Sequence, residues 1–210
     1  MKFYREILDN LIERKPFKFS RWGDGEWLCM MGEEGENRDG NRYLPELGDA
    51  LYKILLSRPE YYMGLQYGVM YNEQLREFVF TSLLEYRDID WVYGDILHVA
   101  SEFGYLKEFT DILKERNTWI IGAKYFGAIP WAEHIEIPPA DSFKYNDKLF
   151  GMSFCDPDAV YLVAAAMNSN VIIDALPDSV TAIDIGSVLD PYLGRPRASY
   201  QYNIKFPKLW

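Results

Sequence analysis

Two carboxylates one glycine apart, Asp24 and Glu26, are the residues of this chain best suited to chemistry. They follow a short apolar and aromatic run that predicts a β-strand. If the segment stays extended, residues i and i+2 point to the same side, so both carboxylates would face one ligand. Paired carboxylates suit Mg²⁺ or Mn²⁺, ions that share their coordination with water and substrate phosphates. The pattern predicts a metal site at Asp24 and Glu26.

The residues around this pair predict a phosphate site beside the metal. Arg21 lies three residues before Asp24, and its planar guanidinium can bind phosphate oxygens in a bidentate way. Gly23 and Gly25 would allow a ligand to approach the backbone closely. A second interpretation stays open, in which the acids cap the following helix and Arg21 forms a structural ion pair with one of them.

Polar residues follow other predicted strands as well. Asn168 and Ser169 come after the apolar run 159–165, at a predicted helix N-terminus whose free amides would hold a phosphate. Plain helix capping by these two side chains is the alternative. Asp184 ends the last predicted strand and Asp190 follows it. An acid so placed can accept a proton from a substrate hydroxyl, or hold that hydroxyl by a hydrogen bond.

The elements that must position these residues alternate between strands and helices. Expected strands cover residues 17–21, 61–65, 90–93, 118–122, 135–137, 159–165 and 180–185. Helices are expected over 2–14, 26–31, 45–56, 72–86, 147–155 and 168–176, with helical material from 94 to 115 and a loop or hairpin tip over 32–41. This alternation predicts an α/β, Rossmann-like three-layer sandwich with a mostly parallel sheet. We expect one domain over residues 1–210, with ligands at the carboxyl ends of the strands.

Composition and length predict a folded protein of the cytoplasm. Of the 210 residues, 49% are hydrophobic and 16% aromatic, which is enough for a substantial core. No run of eighteen apolar residues predicts a transmembrane helix, and the charged start lacks the apolar stretch of a signal peptide. Cys29 and Cys155 lack metal-ligand spacing, so we expect buried free thiols.

The charge balance limits the partners that we expect. With 22 basic and 32 acidic residues the net charge is −10, which argues against nucleic acid and against a polybasic membrane surface. A small charged donor held by a few arginines and a metal is compatible with this charge. The apolar and aromatic ending, residues 200–210, would close over the site or pack on a partner, so an oligomer is possible.

The string Ser20-Arg21-Trp22-Gly23-Asp24-Gly25-Glu26 resembles the opening motif of the GT-D-type glycosyltransferases, a domain family first catalogued as one of unknown function. Segments 92–95, 118–122 and 181–187 are similar to later parts of that family, in the same order. The resemblance therefore extends over roughly residues 17–192.

The resemblance implies that a sugar is moved from a nucleotide-diphosphate sugar, a UDP-sugar, to a glycan or glycoconjugate acceptor. It also implies that Asp24 and Glu26 serve Mn²⁺ or Mg²⁺ and the donor diphosphate. Asp95, in the aromatic-Gly-Asp segment, becomes a candidate catalytic base or second metal-facing acid, with a cap for the following helix as the alternative.

The chain departs from the family at two places. It has Ala166-Met167 where the family often carries Gly-Pro. It has Gly122-Ala123-Lys124 where the family tends to have an acid and a Ser-Arg pair, so no role is transferred to that segment.

Two other functions stay open at this point. One is a metal-dependent phosphohydrolase or nucleotidyltransferase that uses the same two acids on a phosphate. The other is a non-catalytic module that binds a nucleotide sugar. The two histidines, His98 and His134, lack ligand spacing and are expected to be structural.

Overall fold

The computed structural model describes residues 2–38, 40–57, 60–85, 89–154, 156–197, 201–202 and 209. Their strands form a single sheet in which every pairing is parallel. The seven strands are β1 (Lys18–Trp22), β2 (Tyr62–Leu65), β3 (Trp91–Tyr93), β4 (Asn117–Gly122), β5 (Glu133–Glu136), β6 (Ala159–Ala164) and β7 (Thr181–Asp184). Their order across the sheet is β3-β2-β1-β7-β6-β4-β5.

Helices cover both faces of this sheet. They are α1 (Lys2–Ile12), α2 (Asp24–Met30), α3 (Pro45–Ser57), α4 (Glu73–Glu85), α5 (Ile96–Glu102), α6 (Leu106–Lys114), α7 (Asn146–Phe150) and α8 (Asn168–Ala175). Short 3₁₀ turns follow four of the strands, at Tyr67–Tyr71, Lys124–Ala128, Ser142–Tyr145 and Asp190–Leu193.

The alternation of side chains along the strands divides the core between the two faces. In β6, Val160 and Leu162 pack in the cluster that includes α1, α5 and α6, whereas Tyr161 and Val163 pack in the cluster that includes α7 and α8. A third cluster joins Trp22 of β1 to α2, α3 and α4. Strands buried on both faces read as apolar runs, as parallel sheets require. The predicted three-layer α/β sandwich is thus confirmed, and the sheet is wholly parallel.

Several predicted elements differ in their bounds. Helix α2 begins at Asp24, two residues earlier than expected, and α7 ends at Phe150 instead of near residue 155. The helical material before β4 is two helices, because Gly104 adopts a φ of +79° between them. Asn72 caps α4 as predicted, since its Oδ1 accepts the Leu75 amide at 3.0 Å. The last predicted residues of two helices, Tyr86 and Cys155, lie outside the described residues.

The last strand, β7, lies beside the first strand, β1, near the centre of the sheet. From β1 the chain moves outward through β2 and β3, crosses to β4 and β5 on the other side, and returns through β6 to β7. Open α/β sheets bind ligands outside the carboxyl ends of their strands. Both the Asp24 segment and the Asp184 segment leave the sheet there.

Gly94, the glycine of the aromatic-Gly-Asp segment, lies where the backbone after β3 packs closely against β2. A Cβ atom on Gly94 would lie 2.7 Å from the carbonyl oxygen of Gly64 in β2, nearer than real Cβ atoms approach. The glycine therefore allows the end of β3 to lie against β2, and it sets the position of Asp95.

No helix among the described ranges has both the length and the apolar character needed to cross a membrane.

Ala166 stands where the resembling family often has glycine, and its backbone conformation is strained. It has a φ of +51° in the turn from β6 to α8, a left-handed conformation that disfavours residues with a Cβ. The turn is fixed by bonds from the Asn168 amide to the Ala165 carbonyl and from the Ser169 amide to the Ala166 carbonyl. A glycine adopts this turn without strain, which is a physical reason for the Gly found there in the resembling family.

We expect Ala166→Gly to stabilise the protein. Relief of left-handed strain, about 1–2 kcal/mol, exceeds the added unfolded-state entropy of glycine, about 0.5–1 kcal/mol. The free energy of unfolding measured in urea should rise by up to about 1 kcal/mol. The matched control Ala50→Gly, inside α3, should lower it by about 1 kcal/mol. Destabilisation by both substitutions would contradict the strained turn.

Candidate functional site

A cavity of about 530 Å³ opens at the carboxyl ends of β1, β6 and β7; we call it the central cavity. Its walls combine charges of both signs with a few aromatic and amide groups. Five predicted site residues line it, namely Arg21, Asp24, Gly25, Glu26 and Asp184. The other five do not belong to its walls, namely Gly23, Asp95, Asn168, Ser169 and Asp190.

Asp24 and Glu26 lie on a helix, so the condition that the D-x-E segment stays extended is not met. They occupy the first and third positions of α2. Asp24 is exposed, and its Oδ1 accepts the Gly25 amide at 3.0 Å. Glu26 is buried and turns back to accept the Gly23 amide on Oε2 at 2.8 Å. A glutamate at the third helical position commonly makes this bond, so the capping interpretation holds for Glu26.

Glu26 is nevertheless more than a helix cap, because it also lines the central cavity. Burial raises the pKa of its carboxyl to about 7, although the amide bond from Gly23 and the charge of Arg21 act in the opposite direction. The charge of Asp184 contributes to the same rise, so the two carboxyls influence each other. A buried acid with such a pKa is typical of functional sites.

Asn170 is a site residue that the sequence did not reveal. It is fully buried on α8, and its Nδ2 donates to the Arg21 carbonyl at 3.0 Å and to Glu26 Oε1 at 3.4 Å. Its amide therefore ties α8 to the end of β1 and to the carboxyl of Glu26. The only signal in the sequence was a third polar residue in succession at the start of a buried helix.

Asp184 is the predicted catalytic acid that reaches the cavity. It ends β7, it is 4% exposed, and its Oδ1 accepts the Gly186 amide at 2.8 Å. Burial raises the pKa of its carboxyl to about 6, against the lowering effect of Arg21. Gly186 has a φ of +46°, and a Cβ there would lie 1.9 Å from Arg21 Nη1. The glycine after Asp184 therefore makes room for the guanidinium.

Arg21 is held by several groups at once, and it is only 8% exposed. Its Nε donates to the Gly94 carbonyl at 3.1 Å, and its two other nitrogens lie 3.7 Å from Asp95 Oδ1 and 3.9 Å from Asp184 Oδ1. The structural ion pair considered from the sequence exists, but with these two acids instead of Asp24 or Glu26. Arg21 still forms part of the cavity wall.

Asp95 lies behind Arg21, outside the cavity wall. Its Oδ2 accepts the Tyr67 amide at 3.0 Å, and its side chain does not cap α5 although it occupies the cap position. These bonds suit a residue that fixes Arg21 and the turn after β2.

Asp190 has a comparable place behind Arg197. It is fully buried, it accepts a bond from the Tyr125 hydroxyl at 3.3 Å, and it lies 3.4 Å from Arg197 Nη1. Tyr125 and Arg197 line the cavity, and Asp190 does not. Its charge therefore acts on the cavity through Arg197.

Asn168 and Ser169 make the bonds of a structural turn. Asn168 exchanges two side-chain bonds with Asn146, at 2.9 and 2.8 Å, and Ser169 Oγ accepts the Ala165 amide at 3.0 Å. Their own backbone amides donate to Ala165 and Ala166. The groups assigned to a phosphate are thus engaged within the protein, which favours the capping alternative.

Two arginines beyond Arg21 bring positive charge to the central cavity. Arg38 Nη1 donates to the Arg197 carbonyl at 2.8 Å, and both side chains line the wall. Arg38 lies in the stretch 32–41, for which the sequence predicts only a loop or hairpin tip. A bridge between Glu36 and Arg42 shapes that loop.

The remaining polar candidates have structural surroundings. His98 is partly buried with its Nε2 3.3 Å from Ser187 Oγ, and desolvation, followed by the charges of Arg21 and Arg197, lowers its pKa. His134 Nε2 lies 3.1 Å from the Gly122 carbonyl oxygen. Cys29 is a buried free thiol, as expected, and burial raises its pKa to about 11.

The cavity fits a metal ion that takes one or two ligands from the protein and the others from water and substrate phosphates. Across the described residues, no group of three or more His, Cys, Asp or Glu side chains is close enough to hold a metal by itself. Asp24 and Glu26 both face the cavity and offer hard oxygens. Mg²⁺ commonly uses one or two carboxylates and completes its octahedron with water and substrate phosphates. The donor set fits that kind of ion.

Comparisons with known proteins support the fold. Searches against family models and against curated protein sequences give no match. Two solved structures share the fold with TM-scores of 0.62 at 19% identity, covering 97% of this chain and 89% of theirs. One is described as the domain of unknown function 1792 (DUF1792), the other as that domain having a distinct glycosyltransferase fold. A third, "A New Glycosyltransferase (DUF1792) from Streptococcus sanguinis", has a TM-score of 0.63 at 17% identity, covering 97% and 92%.

Identities of 17–19% establish a shared fold and no more. The structural resemblance implied by the sequence motifs is confirmed at that level.

The raised pKa of Glu26 predicts a pH-dependent loss of stability in metal-free protein. Its unfolded pKa is about 4.3 and its folded pKa about 7, so the folded state retains the proton better. The contribution of Glu26 to stability is therefore fully present below about pH 4 and is lost as pH rises through 7. Between pH 5 and 8, with a chelator present, the wild type should lose about 1–3 kcal/mol more than Glu26→Gln.

The control is Glu46→Gln, an exposed acid in the first turn of α3. Urea unfolding of Glu46→Gln should follow the wild-type pH curve. Parallel pH curves for Glu26→Gln and the wild type would show that Glu26 ionises normally.

Proposed function

We propose that the chain is a metal-dependent glycosyltransferase that moves a sugar from a nucleotide-diphosphate sugar to a glycan or glycoconjugate. The main support for the proposal is the position of the two D-x-E acids, Asp24 and Glu26. They line a polar cavity at the carboxyl ends of central parallel strands, in a fold shared with structures described as glycosyltransferases. The motif resemblance supports a UDP-sugar as the donor.

The donor diphosphate is assigned to the half of the cavity between α2 and the loop that carries Arg38. Asp24 and Glu26 would hold Mn²⁺ or Mg²⁺ there, and a bound ion would act as a Lewis acid towards the leaving diphosphate. Arg38 and Arg197 are the cations placed to neutralise the phosphate oxygens as the bond to the sugar breaks. Interactions that strengthen as charge develops accelerate the chemical step.

Asp184 is assigned the role of general base. Of the three acids predicted for that role, it is the one in the cavity wall, and a pKa of about 6 leaves it ionised yet basic near neutral pH. Asp95 and Asp190 are positioning residues, because one fixes Arg21 and the other Arg197. Arg21 lies 3.9 Å from Asp184 and orients it.

The proposal includes a cytoplasmic location, supported by the reduced thiol of Cys29. The phosphohydrolase and the non-catalytic module remain the alternatives, and a single assay separates them from a transferase.

We expect the protein, incubated with Mn²⁺ and a panel of nucleotide sugars, to release nucleotide from a sugar donor. Asp24→Asn should lower the efficiency of that release at least roughly tenfold, or about 1.4 kcal/mol, because Asp24 is exposed and its loss removes a metal ligand without a core defect. Asp49→Asn, an exposed acid on α3, is the control and should match the wild type.

Three results would contradict the proposal. Hydrolysis of plain nucleotides in preference to sugar donors would identify a phosphohydrolase. Binding without turnover would identify a module. An Asp24→Asn variant with wild-type kinetics would remove Asp24 from the metal site.

A further inference from the structure

A second groove continues from the central cavity along the carboxyl ends of β6, β4 and β5. We call it the distal groove and define it by Lys124, Tyr125, Tyr145, Lys148, Arg195 and Tyr202. It consists of two adjoining cavities of about 660 Å³ each. Tyr125 and Arg197 line both the central cavity and the first of these, and Tyr125 and Arg195 line both distal cavities. The distal groove therefore adjoins the proposed donor site.

The distal groove is positive on a protein with a net charge of −10. Lys124, Lys148, Arg195 and Arg197 line it, against one acid, Glu136. Within the part of the chain that the structure describes, the first three of these cations form no ion pair. Such a concentration of unneutralised charge in a concave surface attracts anions.

Two of these cations rest on aromatic rings instead of on carboxylates. Arg195 lies 4.5 Å above the centre of the Tyr125 ring. Lys148 lies 4.8 Å from the centre of the Tyr145 ring and donates to its hydroxyl at 2.8 Å. Basic side chains elsewhere on the surface form ion pairs with acids, as Arg42 does with Asp141. A cation held by a ring keeps its full charge for a ligand.

The aromatic residues give the groove a second property. Tyr125, Tyr145 and Tyr202 each combine an apolar ring with a polar hydroxyl, and Tyr202 is 63% exposed. Such rings pack against the apolar faces of a sugar. Aromatic rings with cations between them match a sugar that carries an anionic group.

We propose that the distal groove binds the acceptor, and that this acceptor is a phosphate-bearing carbohydrate. The inference rests on the proposed glycosyl transfer and specifies its acceptor. Lysine and arginine bind phosphate directly through charge-assisted hydrogen bonds, and the groove has too few acids to do so through a metal. The phosphate would lie among Lys124, Lys148 and Arg195, and the receiving hydroxyl would point past Tyr125 into the central cavity.

In the transfer step, each bond formed is matched by a bond broken, and Asp184 accepts the released proton. The acceptor oxygen forms a bond to the anomeric carbon of the donor sugar, while the bond from that carbon to the diphosphate oxygen breaks. The nucleoside diphosphate leaves with the electron pair, and Asp184 takes the hydroxyl proton. The acceptor phosphate undergoes no reaction and serves only for recognition.

The test compares glucose 6-phosphate, glucose and glucuronate as probes, by calorimetry with a chelator present. Glucose 6-phosphate should bind the wild type at least roughly tenfold more tightly than glucose or glucuronate, about 1.4 kcal/mol. The double variant Lys124→Gln/Lys148→Gln should lose at least that factor. Lys53→Gln, an exposed lysine on α3, is the matched control and should bind as the wild type does.

Arg38→Gln separates the two sites, because Arg38 lines only the central cavity. It should retain binding of glucose 6-phosphate. Loss of binding in Arg38→Gln but not in the double lysine variant would place the phosphate in the central cavity and overturn the proposal. Equal binding of glucose, or of glucuronate, would also overturn it, as would no binding of glucose 6-phosphate at millimolar concentration.

The outcome is independent of the donor chemistry. If the wild type releases no nucleotide from any sugar donor, the proposed transferase fails, while the probe titration still reports on the groove. If nucleotide is released but the probes do not distinguish phosphate, only the acceptor assignment fails.

Discussion

Burial of the Arg21 guanidinium constrains the architecture around the central cavity. A charged group that is 8% exposed must find opposite charge and hydrogen-bond acceptors, since an unpaired buried ion costs several kcal/mol. The acceptors come from the segments after β3 and β7, which supply Asp95, the Gly94 carbonyl and Asp184. Gly186 leaves space for the guanidinium, and Gly94 brings its own strand end close to β2. One side chain thus aligns the ends of three strands.

The same constraint explains why the acids of the site differ in character. Asp184 and Glu26 are buried beside each other and beside a single arginine, so their carboxyls hold their protons more tightly than exposed acids do. Asp24 also lines the cavity, but its side chain remains exposed. A divalent cation would relieve the repulsion that burial creates between Glu26 and Asp184. The charge arrangement is therefore suited to receiving a cation together with an anionic donor.

The fold and the location of the site were predictable from the sequence because both depend on local patterns. Apolar runs such as 159–165 give the strands, and parallel strands bring their following residues to one edge. The backbone conformation at Asp24 was not predictable from the same pattern, because a glycine on each side permits a strand end or a helix start. The partners of Arg21 and the bond from Asn170 to the Arg21 carbonyl depend on contacts between segments more than 70 residues apart. No spacing rule within one segment carries that information.

The central claim is that donor and metal meet at the carboxyl ends of β1 and β7. A crystal grown with Mn²⁺ and UDP, with diffraction data collected at the manganese absorption edge, tests it most directly. The account predicts an anomalous peak within coordinating distance of the Asp24 and Glu26 carboxylates, with the diphosphate bridging the ion and the side of the cavity that carries Arg38 and Arg197. A manganese peak remote from Asp24 and Glu26, or a diphosphate bound in the distal groove, would contradict the account.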